Sequence, residues 1–315
     1  MPAFPRVSLR RVALVAGAIV GAAAGLAAQA PAPAAPAPAA VAGPPLGVTG
    51  TIRFHGAVPS RHVAARNVEV WLPPGYERGT ARYPVLYMHD GQNVFAPATS
   101  YFGVDWAVDE TMTRLIAERR VRPAIVVAVW NTPARSAEYM PRRALDLLPD
   151  SVRRDPRARA QLDSVRSDGY LRFLVDELKP LVDRTYRTRP GPADTFVMGS
   201  SMGGLISAYA LTEYPQVFGG AGCVSTHWPA GEGVVVDHLR RALPAPATHR
   251  IYFDHGTATL DSLYAPFQRR ADAVMRAAGY TEGRNWVTRV FAGAEHSERA
   301  WRVRVEEPLV FLLGR

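Results

Sequence analysis

The chain has 315 residues, 48% hydrophobic and 21% charged, a balance that excludes a disordered or collagen-like polypeptide and leaves room for one large domain or two small ones. Its one cysteine, Cys223, excludes an internal disulfide and a cysteine-based metal cluster. The net charge of +9 comes from scattered arginines, with a cluster only over 142–166 and Lys179 the one lysine, so it carries no nucleic-acid motif and nucleic acid is not expected as a partner.

Residues 1–30 read as a secretory leader. Arg6, Arg10 and Arg11 precede a run of 17 uncharged, mostly apolar residues (12–28), and Ala28-Gln29-Ala30 is a small-x-small cleavage signal. The run sits at the lower limit for an uncleaved membrane anchor and is rich in Ala and Gly, so no stable membrane insertion is expected after cleavage. An exported protein, periplasmic or extracellular, follows. Residues 31–45 are a Pro/Ala tract, expected as an extended tether, and a single folded domain is expected over 46–315.

In that domain, short apolar or alternating runs predict strands at 50–55, 68–72, 85–89, 124–129, 195–199, 220–224, 250–254 and 286–291. Helical patterns fall at 106–118, 168–186, 202–214, 264–278 and 298–313. Two early strands followed by β-α alternation predict an α/β fold with a mostly parallel sheet of about eight strands and helices on both faces. Sites in such sheets gather at the carboxyl ends of the strands.

There, Gly199-Ser200-Ser201-Met202-Gly203 is a G-x-S-x-G between an apolar run and an apolar helix. A tight strand-to-helix turn exposes the serine at a helix amino terminus, so Ser201 is the candidate nucleophile; a glycine-rich packing turn is the plainer alternative. A serine hydroxyl needs an imidazole to take its proton. Of eight histidines only His296 follows the last expected strand, which suits the order Ser, acid, His. The acid belongs after the seventh strand. Asp254 and Asp261 both qualify by position, with Asp261 favoured because it lies on the flexible side of the Gly256-Thr257 turn. Backbone N–H groups of Met202 and of Gln92, in the loop after the third strand, are the candidate oxyanion donors.

At these residues the chain resembles the putative-esterase family of α/β hydrolases, which includes enterochelin esterases, feruloyl and acetylxylan esterases, S-formylglutathione hydrolases and mycolyltransferases. The resemblance runs from about residue 67 to 313. It rests on VEVWLPPGY, PVLYMHDGQNVF, FGVDWAVDE, NTPARSAEYMP, YLRFLVDELKPLVDRTYRT, VMGSSMGGLISAYA, YFDHGTATLD and GAEHSERAW. It implies Ser201 as nucleophile, His296 as base, Asp261 as acid, Gln92 and Met202 as oxyanion donors, and Trp106 near the pocket. The arginine-rich stretch 142–159 matches no motif.

The expected activity is a secreted serine esterase working through an acyl-enzyme on a small-molecule or polysaccharide-linked ester, with no metal and no organic cofactor. An acyltransferase using the same triad is the alternative, and a noncatalytic binding module on the same fold is the alternative from another class.

Overall fold

The computed structural model describes residues 48–314; the expected leader and the whole of the Pro/Ala tract lie outside the described residues. Eight strands form one sheet: β1 (Thr51–Val58), β2 (Arg66–Leu72), β3 (Val85–His89), β4 (Ile125–Val129), β5 (Thr195–Ser200), β6 (Gly220–Val224), β7 (Arg250–Gly256) and β8 (Trp286–Phe291). Their order is β1-β2-β4-β3-β5-β6-β7-β8. β1 pairs with β2, and β2 with β4, in antiparallel fashion; every pairing from β4 to β8 is parallel. This is the mostly parallel, helix-flanked sheet expected from the β-α alternation, and the α/β-hydrolase fold that the resemblance implies.

The helices are α1 (Val108–Ala117), α2 (Arg135–Tyr139), α3 (Asp150–Arg154), α4 (Pro156–Ser164), α5 (Ser167–Arg172), α6 (Lys179–Thr185), α7 (Met202–Glu213), α8 (Val234–Ala242), α9 (Ala265–Ala277), α10 (Glu298–Arg304) and α11 (Glu306–Leu313). A π-helical segment, Phe173–Leu178, joins α5 to α6, so the pattern expected at 168–186 is one helical rod with a wide turn inside it. The helix expected over 298–313 is divided instead. Pro308 lacks an N–H, and its ring conflicts with the carbonyl four residues back, at Arg304, which is where α10 stops.

The β3 and β4 runs are buried on both faces, and alternate residues feed two cores. Val85, Tyr87, Ile125, Val127 and Val129 join the side packed by α7, α8 and α9. Leu86, Met88, Val126 and Ala128 join the side packed by α1, α10 and α11. The sheet is thus held from both faces, and the loops leaving β3, β5, β6, β7 and β8 converge along one edge.

Candidate functional site

β5 ends at Ser200 and α7 begins at Met202. The residue between them, Ser201, takes φ 56° and ψ −120°. A side chain in that region costs on the order of 1–3 kcal/mol and persists only where its surroundings over-determine it. Here they do. Ser201 N–H donates to the Val224 carbonyl at 2.9 Å, and the Ser201 carbonyl accepts from Gly204 N–H at 3.0 Å and His227 N–H at 3.2 Å. A Cβ on Gly199 would stand 2.9 Å from the Gly203 backbone, so the motif glycines let strand and helix close on each other.

β7 and β8 deliver the next two residues. The loop after β8 folds against the loop after β7: the Ala294 carbonyl accepts from Thr257 and Ala258 N–H groups at 3.1 and 3.0 Å, and His296 N–H donates to Thr259 Oγ1 at 2.8 Å. His296 Nδ1 then lies 2.6 Å from Asp261 Oδ1. Edge-on rings flank the imidazole, Tyr264 at 5.6 Å and Trp301 at 5.0 Å between centroids.

The two candidate acids occupy different surroundings. Asp261 Oδ2 accepts from Ser225 Oγ and Gly256 N–H, each at 2.6 Å. Burial alone would raise its carboxyl, but the bonds from His296, Ser225 and Gly256 outweigh it and hold the group below its ordinary value. Asp254 faces the sheet interior, accepting from Ser225 N–H and Tyr252 OH at 3.0 Å each. Burial keeps its carboxyl above the ordinary value despite Arg304 at 3.2 Å. Among the described residues the Asp254 carboxylate bonds Ser225, Tyr252 and Arg304, and not His296.

Opposite the nucleophile turn, Gly91–Asn93 forms a 3₁₀ turn after β3. A Cβ on Gly91 would meet the Ala128 carbonyl carbon at 2.5 Å, which is why that backbone can lie flat on β4. Asp90 holds the turn from below. Arg135 donates to both its oxygens at 2.7 Å, and Asn131 to one. Burial raises the Asp90 carboxyl less than Arg135 and Asn131 lower it, so it lies below its usual range. Among the described residues, neither Gln92 N–H nor Met202 N–H donates to a protein acceptor. The turns are adjacent: a Cβ on Gly203 would sit 3.4 Å from Asp90 Oδ2. Trp106 is buried one ring behind the site, 5.5 Å from Trp301.

Three side chains at the site carried no sequence signal. Arg304 is buried and donates to Ser225 Oγ at 2.6 Å, bridging the two acids. Ser225 itself takes φ 39° and also accepts from Trp301 Nε1 at 3.0 Å. Tyr264 is fully buried, its hydroxyl 2.8 Å from His227 Nδ1. An arginine in a helical pattern reads as surface, and a serine after a strand reads as a turn. Only the packing separates them from that reading.

For metal ions, Asp105, Asp109 and Glu110 are the one group of carboxylates close enough among the described residues, within 4.8 Å of one another. Arg302 pairs with Asp105, and Thr49 N–H donates to Asp109 at 2.6 Å. Burial pushes the Asp109 carboxyl up to about 8, so the group is internally balanced by a proton and an arginine.

The family model described as "Putative esterase" matches residues 63–311. The uncharacterized protein YbbA of Bacillus subtilis strain 168 is 24% identical over 210 residues, 64% of this chain and 72% of that protein. Ferri-bacillibactin esterase BesA of the same strain is 28% identical over 156 residues, 47% of this chain; the match spans only half of BesA. Among solved structures, a ferulic acid esterase superposes with TM-score 0.61 at 18% identity, covering 84% of this chain and 98% of that one. With the family model spanning most of its length, the chain belongs to the esterase family of α/β hydrolases and is a carboxylic-ester hydrolase.

Proposed function

We propose that the chain is an exported serine esterase that acts through an acyl-enzyme, with Ser201, His296 and Asp261 as its triad. The observation that carries this reading is the bond between His296 Nδ1 and the buried Asp261 carboxylate, at 2.6 Å, beside a serine held at φ 56°. Asp261 fixes the imidazole tautomer and leaves Nε2 to take the Ser201 proton. Ser201 Oγ attacks the ester carbonyl, and the free N–H groups of Gln92 and Met202 receive the charge that develops on its oxygen. His296 then protonates the leaving alcohol, and water, activated by the same imidazole, releases the acid.

The substrate in this reading is a small-molecule or polysaccharide-linked carboxylic ester. The names of BesA and of the ferulic acid esterase support that range. Residues 1–30 act as the leader, 31–45 as a tether and 46–315 as the esterase domain. Among the described residues no helix is long and apolar enough to cross a membrane. The test is Ser201→Ala on p-nitrophenyl acetate. Turnover is abolished while the circular dichroism spectrum stays native; unchanged turnover refutes the mechanism.

A further inference from the structure

Three aromatic side chains stand in solvent among the described residues: Phe54 at 44%, Tyr101 at 65% and Phe102 at 69% exposure. They are not scattered. Phe54, Glu69 and Ala128 are register partners on β1, β2 and β4, so they share one face of the sheet. Trp130, half-buried, joins that face by donating from Nε1 to Glu69 Oε2 at 3.1 Å, and Phe54 stands edge-on to it with 6.3 Å between centroids. Asn131 comes next in the chain, and its Oδ1 accepts from the Tyr101 hydroxyl at 2.8 Å. Tyr101 N–H donates to Asn93 Oδ1 at 3.2 Å, and Thr99 Oγ1 to the Gln92 carbonyl at 2.7 Å. Asn131 also donates from its N–H to Gln92 Oε1 at 3.2 Å and from Nδ2 to Asp90. The ribbon Phe54, Trp130, Asn131, Tyr101, Phe102 is therefore bonded at several points to residues 90–93, the turn that carries the Gln92 N–H.

A ring left in water forgoes the burial that favours it in a core, and exposed apolar surface gathered in one place marks where something binds. The make-up of the ribbon says what. It carries no charge, so it offers nothing to an anionic ligand. Its rings run in file with an amide between them, whereas a protein partner needs a closed apolar centre with a polar rim. A sugar chain matches the file: each ring has a C–H face that lies flat on an aromatic and a rim of hydroxyls that suits the polar gaps. Length points the same way. In sheet order β1 lies three strands from β3, roughly 14 Å at the usual strand spacing, so the ribbon runs from the oxyanion turn to the edge of the sheet. A chain fills that length, and the alcohol of a small ester does not.

Resting on the triad reading, we propose that this ribbon is a binding site for an uncharged polysaccharide chain, and that the ester cleaved at Ser201 is carried on that chain. Sugar rings stack on Phe54, Tyr101 and Phe102, and at the near end the ester carbonyl reaches the Gln92 and Met202 N–H groups. The aromatic rings touch no reacting atom. They hold the polymer and leave the chemistry to the triad, so the site acts on KM for chain-linked esters and not on kcat. An ester too small to reach the ribbon is turned over without it.

Binding is tested first, without catalysis. The full-length protein carrying Ser201→Ala is run through native gels cast with xylan, mixed-linkage glucan or galactomannan. Retardation by at least one of them is expected, weakened about 10-fold when Phe54→Ala and Phe102→Ala are added, since each ring contributes a stacking contact. These two are chosen because neither side chain bonds the oxyanion turn. Phe54→Tyr with Phe102→Tyr keeps the rings and is expected to keep the retardation, which separates lost stacking from lost folding. No retardation in any gel, or retardation that the alanine pair leaves unchanged, overturns the proposal. So does a self-associated species in sedimentation velocity that the alanine pair dissociates, because the ribbon would then be covered by a second copy. Turnover follows on the acetylated form of the retarding polymer, with Ser201 restored. The alanine pair is expected to raise KM on the polymer about 10-fold at unchanged kcat, with p-nitrophenyl acetate within about 2-fold of wild type. Equal losses on both substrates, or none on either, overturn the proposal. Residual turnover of p-nitrophenyl acetate by Ser201→Ala removes the triad reading instead, and the gel result stands apart from it.

Discussion

Arg304 and the arginines of the 142–166 segment carry the same charge in opposite surroundings. Arg304 is enclosed under the site, with its guanidinium against Phe291 and its Nη2 on Ser225 and Asp254. The segment arginines stand in solvent on and beside α3 and α4, where Arg142 meets Asp146, Arg153 and Arg154 meet Asp150, and Arg159 lies near Asp163. Most of these pairs join neighbours three or four residues apart on a helical turn, while Arg304 joins strands and helices 50 residues distant. A surface pair is nearly cancelled by hydration, whereas a buried charge has no water to fall back on and must find its partners in the fold. The unmatched arginine-rich stretch is thus a solvated face that pairs mostly within itself, with Arg143 reaching out to Glu213, and the unremarked Arg304 is what two buried carboxylates depend on.

The sharpest break in this comparison is made at the acids. Asp261→Asn leaves His296 without a carboxylate to select its tautomer, and kcat on p-nitrophenyl acetate is expected to fall by about 10⁴-fold. Asp254→Asn changes only the supporting side of the network, and its effect on kcat of the folded enzyme is expected to be far smaller. Comparable losses from both would overturn the choice between them. The next effect is on stability. Arg304→Met removes the only arginine paired with Asp254 and Asp261 among the described ion pairs, and leaving that charge uncompensated costs about 3–5 kcal/mol in denaturant unfolding. A loss below about 1 kcal/mol would mean that Arg304 behaves like a surface arginine.

The same contrast explains what the sequence made legible. Apolar runs such as PVLYM and AIVVAVW announce buried parallel strands because nothing else in a soluble domain needs them. The meeting of His296 with Asp261 was readable as chain order, since parallel strands put successive loops on one edge. The choice of Asp261 over Asp254 turned on which side of the Gly256 turn the carboxylate lay, and the His296 bond falls on the favoured side. Arg304, Ser225 and Tyr264 were not readable. Their partners are remote in sequence, and composition around them matches an ordinary helix or turn. The break of the last helix was written in Pro308, but the apolar period on both sides of it masked the stop.

A third kind of buried group sharpens the comparison because it avoids charge altogether. His89 ends β3 with its Nδ1 on Tyr170 OH at 2.8 Å, and burial, helped by Arg135 and Arg66 against Asp90, pushes the imidazole down to about 3. Its folded value thus lies below the unfolded one of 6.5. Between the two the unfolded chain binds the extra proton, so stability falls as pH drops below 6.5. This one group contributes up to about 1.4 kcal/mol per pH unit. His89→Gln keeps an acceptor for Tyr170 and removes the titration. The stability gap between wild type and variant, read by urea unfolding from pH 7 to pH 4.5, is expected to narrow in favour of the variant. A constant gap would show that the ring is reached by water in the folded state.

The smallest effect is the one that tests the surface half of the comparison. Arg153 pairs with Asp150 one turn back on α3 and also donates to the Leu148 carbonyl at 3.1 Å, with its side chain 43% exposed. Its charge is hydrated in both folded and unfolded chains, and ordering its long side chain offsets most of what the pair gains. Arg153→Ala is expected to shift stability by less than about 0.5 kcal/mol, and to shift it less still in 1 M salt, where screening reaches about 3 Å. Esterase turnover is expected to be unchanged. A loss approaching that of Arg304→Met would mean that the segment's ion pairs act as one cooperative network, and the distinction between buried and solvated arginines in this chain would have to be redrawn around connectivity instead of burial.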